Sequence, residues 1–234
     1  GFNLYAVTDR GLRGRRDVGP TTMWSTFSAP GPPLTSAGQA VEAAPDGSIW
    51  IGTLGGVMKL DTDGTWSSFA NGQNGLLPSD VFSIFADGGN RLWVGKCCCP
   101  DPSGCPTQFI VAGSVASPLA SFNGWAMSED NGGRLWVGSN TNGVYALGAD
   151  GSSIVNLTQA NTAGVLRSNS VRTIAADGSK IWIGHENAGL QILRTAGNPA
   201  NPAGFTWILA RQLPELSVAG LALEGSDAWV LTSA

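Results

Sequence analysis

Asp46-Gly47-Ser48-Ile49-Trp50-Ile51-Gly52-Thr53 is the stretch that decides the fold. Its Asp-Gly pair supplies the positive φ that a tight hairpin needs. The branched and aromatic run behind it reads as a buried strand. The string returns as Arg91-Leu92-Trp93-Val94-Gly95, Arg134-Leu135-Trp136-Val137-Gly138, Lys180-Ile181-Trp182-Ile183-Gly184 and Asp227-Ala228-Trp229-Val230-Leu231. The tryptophans stand 43, 43, 46 and 47 residues apart, and a weaker copy, Leu4-Tyr5-Ala6-Val7-Thr8, lies 45 residues before Trp50. A period in the forties built from short strands is the signature of four-stranded propeller blades.

Each unit keeps one internal order around its tryptophan. An apolar-alternating stretch comes first, as in Val81–Phe85, Val171–Ala175 or Val218–Ala222. An Asp- and Gly-bearing turn, the Trp strand and a third strand such as Gly56–Leu60, Gly143–Leu147 or Gly189–Leu193 follow. A fourth strand carries aromatic residues, as in Met23–Phe27, Thr65–Phe69 and Phe205–Leu209. A single such unit cannot bury both faces alone, so units must stack and the recurrent Trp reads as core between them. The expectation is an all-β chain, a β-propeller of four-stranded antiparallel blades with about six blade units, possibly incomplete, centred on Tyr5, Trp50, Trp93, Trp136, Trp182 and Trp229. Residues 1–234 form one propeller domain or a segment of one. The terminal remnants count the Trp strand twice, which favours a segment of a larger propeller of seven or more blades. No helical periodicity is present, and Gln159–Ser168 reads as a loop.

The unit resembles the repeat of two-component-regulator propellers, which runs from a Gly-Leu and a few polar residues to Val, then through Asp-Gly-x-Leu-Trp-Ile-Gly-Thr to a second Gly-Leu. The matching residues are Gly75-Leu76-Leu77-Pro78-Ser79-Asp80-Val81 before Arg91–Gly95, Asp46–Val57, and Leu166–Val171 before Lys180–Gly184. The resemblance covers nearly the whole chain. It implies a periplasmic sensor-type propeller responding to carbohydrates, or a related secreted or cell-surface protein, from a bacterial source. Streptogramin-lyase propellers share a related Asp-Gly-x-Leu-Trp pattern, but their catalysis needs a placed histidine and acid, and this chain has a single histidine.

Composition narrows the function classes. Glycine is heavy at 33 residues, charged residues are only 13%, and hydrophobic residues at 42% suffice for a core. The net charge of −4 comes without a sustained basic track, so no nucleic-acid partner is expected. The densest basic stretch, Arg10–Arg16, reads as a solvated terminal loop. No apolar run is long enough for a helical membrane span. The chain shows no signal peptide and begins without Met, so it reads as processed or excised.

Cys97, Cys98, Cys99 and Cys105 interrupt the third unit just after its Trp strand. Adjacent cysteines pair only with strain, so one of the first three bonding to Cys105 gives a disulfide-stapled loop. Free thiols and a four-thiolate metal site are the alternatives, although three consecutive residues converge poorly on one tetrahedral centre. The disulfide reading implies an oxidising location, periplasmic or extracellular.

Candidate site residues fall on the loops after the Trp strand and between units, which in propellers share one face. They are Thr53, Lys96, Asn140, Asn142, His185 and Glu186, with Asn74 and Arg167 from the inter-unit loops. Asn, Ser, Thr and Gln dominate these loops, which suits a neutral polar ligand such as a glycan; any exposed loop is polar for reasons of backbone solvation alone. His185 beside Glu186 is the one acid–base pair in sight, yet neighbours at a strand end point in opposite directions, so His185 reads as a solvated loop residue. Asp61-Thr62-Asp63-Gly64 reads as a hairpin turn rather than a calcium loop, for want of further ligands. Asn156-Leu157-Thr158 is a sequon with meaning only in a eukaryotic secretory host. No metal site and no cofactor is expected. The reading is a non-catalytic ligand-binding or sensory propeller whose partner is a polar small molecule or glycan. A structural propeller binding another protein in a surface assembly is the alternative, and a streptogramin-lyase-like enzyme is a further one.

Overall fold

The computed structural model describes residues 4–8, 11–18, 21–27, 38–70, 72, 76, 80–97, 108–111, 114–115, 123–148, 150–195, 204–210, 213, 216–225 and 227–233. The chain divides into two compact units, Gly1–Pro118 and Leu119–Ala234.

In the first unit, β1 (Leu4–Thr8), β2 (Gly11–Val18) and β3 (Thr21–Phe27) form a three-stranded sheet. β4 (Gly38–Ala43), β5 (Ile49–Thr53), β6 (Gly56–Leu60) and β7 (Trp66–Ala70) form a four-stranded meander. β8 (Asp80–Ala86), β9 (Leu92–Cys97), β10 (Gln108–Val111) and β11 (Ser114–Val115) form another. The second unit repeats the plan with β12 (Gly124–Glu129), β13 (Leu135–Ser139), β14 (Val144–Leu147) and β15 (Ser153–Leu157). It continues with β16 (Val171–Asp177), β17 (Lys180–His185), β18 (Leu190–Arg194) and β19 (Thr206–Leu209), and then the two-stranded β20 (Ser217–Glu224) and β21 (Asp227–Ser233). All pairings are between sequence neighbours and antiparallel, and no described residue is α-helical.

One expectation is corrected here. The Arg10–Arg16 stretch is not a terminal loop: from Gly11 onward it is β2, the middle strand of its sheet. The charges masked an inward-facing Leu12, which is fully buried in a cluster with Ile49, Ile51, Met58 and Leu60.

Four of the five tryptophan strands, β5, β9, β13 and β17, build the core; the expectation fails for β21, where Trp229 is 66% exposed. Trp93 and Trp136 are fully buried and Trp50 nearly so. Clusters form between successive sheets within each unit, one joining Trp50 and Val57 to Val81 and Ile84, another joining Trp136 and Val144 to Val171 and Ile183. The glycine two residues after Trp50, Trp93, Trp136 and Trp182 allows this approach. A Cβ on Gly138 would lie 2.5 Å from Val171 Cγ1 of the next sheet, and one on Gly184 would lie 2.6 Å from Val218 Cγ1.

The hairpin turns carry more than turn geometry. Asp130 is nearly buried; its Oδ1 accepts the amides of Gly132 (2.8 Å) and Arg134 (3.2 Å), and its Oδ2 accepts Arg134 Nε (2.7 Å) and Trp136 Nε1 (2.9 Å). Burial alone would raise the Asp130 pKa, but these four donors together hold it below the usual carboxylate range. Asp87 repeats the arrangement with Gly89, Arg91 and Trp93. In the tighter Asp177-Gly178-Ser179-Lys180 turn the carboxylate stays exposed near Lys180, and the buried Trp182 Nε1 has no partner among the described residues.

Candidate functional site

The first and second strands of five sheets share one irregularity. The register slips between Gly38 and Ala40, Val81 and Ser83, Gly124 and Ala126, Val171 and Thr173, and Val218 and Gly220. The residue passed over is an extra one, a bulge that re-aims its side chain, and bulges gather beside functional sites. In the second unit two of these residues are Trp125 and Arg172, on the first strands of neighbouring sheets.

These two meet. The Arg172 guanidinium lies over the Trp125 ring at 5.6 Å, and its Nη2 is 2.5 Å from Glu186 Oε1. Ser170 Oγ is 2.9 Å from Glu186 Oε2 and 3.2 Å from Asn140 Oδ1. One hydroxyl proton cannot serve both acceptors. It goes to the charged Glu186, and the Asn140 amide turns its NH2 toward Ser170 Oγ. Arg172 and Ser170 hold the Glu186 carboxyl below its ordinary pKa. Trp125 Nε1 is buried without a partner among the described residues. The result is an aromatic face, an anion, a cation, a hydroxyl and an amide within one patch, with Arg172 and Glu186 side chains 39% and 32% exposed.

Behind the patch lies His185, which is fully buried rather than solvated, correcting the sequence reading. It follows Gly184 at the position that holds Thr53, Lys96 and Ser139 in other repeats, and all four are fully buried. A strand end that tucks under its own turn points this residue inward. His185 Nε2 meets Gln191 Oε1 at 2.9 Å, Arg167 N donates to the same oxygen at 2.9 Å, and Gln191 Nε2 donates to Val165 O at 2.9 Å. Those partners fix the Gln191 amide, so neutral His185 carries its proton on Nε2. Among the described residues Nδ1 has no hydrogen-bond partner. Burial pushes the His185 pKa down to about 4, against Gln191 and the main chain of Ser170 and Ser168, which favour the cation.

The sequence-derived candidates thus separate. Asn140 and Glu186 meet through Ser170, and His185 and Arg167 meet through Gln191. Asn142 has other partners: its side-chain Oδ1 accepts Thr141 Oγ1 at 2.7 Å, and its main-chain carbonyl accepts Asn156 Nδ2 at 3.0 Å. The Thr53 hydroxyl closes its own turn, donating to Gly56 O and accepting Gly55 N, both at 3.0 Å. Lys96, in the first unit, has its pKa lowered to about 8 by burial. Asn74, Cys98, Cys99 and Cys105 and the side chain of Cys97 lie outside the described residues. Among the described residues no three or more His, Cys, Asp or Glu side chains gather as metal ligands, and no helix is long and apolar enough to cross a membrane. Sequence reasoning missed Trp125 and Arg172. The available signal was their shared place, one residue into each unit's opening stretch.

Sheets of this kind, four-stranded meanders stacked by their tryptophan strands, define a propeller-type all-β protein. Solved structures bear out that class. Virginiamycin B lyase from Staphylococcus aureus matches with a TM-score of 0.66 at 15% identity, over 97% of this chain and 76% of that one. The extracellular domain of the hybrid two-component system BT3049 from B. thetaiotaomicron matches with a TM-score of 0.63 at 18% identity, over 98% of this chain and 31% of that one. YCF48 bound to D1 peptide matches with a TM-score of 0.63 at 15% identity, over 94% and 69%. At these identities the likeness shows the fold, shared by enzymes and sensor domains alike. No family model and no curated protein matches the chain.

Proposed function

We propose that the chain is a non-catalytic, ligand-binding and sensory β-propeller of an exported bacterial protein, and that it recognises a polar ligand such as a carbohydrate. The carrying observation is the patch of bulged Trp125 and Arg172 with Glu186, Ser170 and Asn140. A saccharide offers hydroxyls that both donate and accept and a C–H face that packs on an aromatic ring, which this set of groups complements. The non-catalytic reading is supported by the state of the titratable groups. The one histidine is buried with its pKa near 4, and Glu186 is held ionised by Arg172, so neither is poised as a general acid or base near neutrality. Export is supported by likeness to the extracellular domains of two-component systems.

A second reading, an interaction propeller in a surface assembly, is favoured by the exposed apolar side chains of β21, where Trp229 and Leu231 are each 66% exposed. A glycan array probed with the wild-type chain and with Arg172→Ala separates the two. Retention of a glycan class by the wild type and its loss in the variant supports the first; no retention by the wild type contradicts it.

A further inference from the structure

A pocket of about 520 Å³ opens in the second unit between the outermost strands of two successive sheets, β15 and β19. Phe205 and Trp207 line one side, Leu157 and Val165 another, and Asn161 and Thr162 the rim. The rim is polar in name only. Asn161 spends Oδ1 on Thr158 N (2.8 Å) and Nδ2 on Asn156 O (2.9 Å). Thr162 Oγ1 donates to Thr158 O (2.6 Å) and accepts Leu166 N (3.0 Å). These side chains brace the Thr158–Leu166 loop and leave few hydrogen bonds for a sugar, so the pocket offers an occupant apolar contact.

Directional hydrogen bonding is available immediately beside it. β19 ends its sheet, and among the described residues no strand pairs with its outer edge. Ala210 N donates inward to Leu190 O, so by antiparallel alternation the N–H groups of Leu209 and Trp207 point outward. Phe205 and Trp207 are two residues apart and share a face. A strand added at this edge would place alternate side chains beside theirs, in the pocket.

We propose that the edge of β19 and this pocket form a docking site for an extended peptide, which pairs with β19 as a further strand and seats one large apolar side chain against Phe205, Trp207 and Leu157. This is strand addition, in which main-chain bonds hold the peptide and a pocket selects one side chain. The site is separate from the Trp125–Arg172–Glu186 patch and stands whether or not that patch binds glycans.

The test is selection of a phage-displayed random nonapeptide library on the full chain, followed by anisotropy measurements with synthetic copies of the selected peptides. Val165→Trp fills the pocket, and the Val165 carbonyl that receives Gln191 Nε2 belongs to the main chain and is kept. The expected result is peptides with one large apolar residue among β-formers, weakened about tenfold or more by Val165→Trp. N-methylation at alternate peptide positions is expected to weaken binding about tenfold in one phase and to leave the other phase within about twofold. If Val165→Trp does not fold, the N-methylation pattern alone decides. No selected peptide, binding indifferent to the pocket variant, or N-methylation effects without alternation would each overturn the proposal.

Discussion

Asp130, Arg134 and Trp136 at one end of the second unit's strands, and Glu186, Arg172 and Trp125 at the other, are the same three kinds of residue in opposite states. In the first set the carboxylate takes the indole N–H, the guanidinium and two turn amides, and its side chain is 1% exposed. In the second, the guanidinium lies over the indole face, the buried indole N–H has no partner among the described residues, and both charged side chains reach solvent. The hairpin end uses its polar groups to close a turn over the core. At the bulged end the indole N–H is buried as well, but the Arg172 and Glu186 side chains reach solvent. On the proposed reading, the same chemistry serves stability where it is fully satisfied and recognition where it is not.

The contrast predicts unequal costs. Asp130→Ala strands a buried indole N–H and a guanidinium, and should cost about 4 kcal/mol in urea unfolding. Asp177→Ala, whose carboxylate is exposed and makes no bond to Trp182, should change stability by less than about 0.5 kcal/mol. Equal costs would break the distinction between closed and open sets.

The next effect belongs to His185, which underlies the open set. Its folded pKa of about 4 lies below its ordinary value of 6.5. The unfolded chain therefore binds the extra proton more readily, and stability is fully present above about pH 6.5 and lost as pH falls toward 4. The loss should reach about 3 kcal/mol, and His185→Gln should flatten that part of the pH–stability curve. A wild-type curve flat between pH 6.5 and 4.5 would contradict the buried, neutral imidazole.

Gly184→Ala should cost about 2 kcal/mol by thermal melting, because its Cβ meets Thr173 Cγ2 at 2.5 Å and Val218 Cγ1 at 2.6 Å. Arg172→Ala should change stability least, by about 0.5 kcal/mol, since its ion pair is solvent-screened. The same variant should abolish glycan retention.

The sequence made the sheets legible because period-two strands, Asp-Gly turns and a recurring Trp are local signals that repeat in phase. Glu186 and Asn140 were legible as loop polars. Trp125 and Arg172 were not, because a bulge changes a side chain's direction without changing its residue type, and alternation alone assigns Arg172 an ordinary strand position. His185 was misjudged for a related reason: a strand end that tucks beneath its own turn buries a residue that position alone assigns to solvent. The Asp hubs were read as turns, since their reach to an indole six residues ahead is a tertiary fact.

Indole N–H exchange, followed by NMR on the 15N-labelled chain with and without millimolar cello-, xylo-, manno- and maltooligosaccharides, tests the difference between the two ends most directly. The account predicts that Trp136 and Trp93 exchange only through global unfolding and keep their shifts, whereas Trp125 shifts with at least one saccharide. A Trp125 resonance indifferent to every saccharide, or a Trp136 indole that exchanges as freely as Trp125, would contradict it.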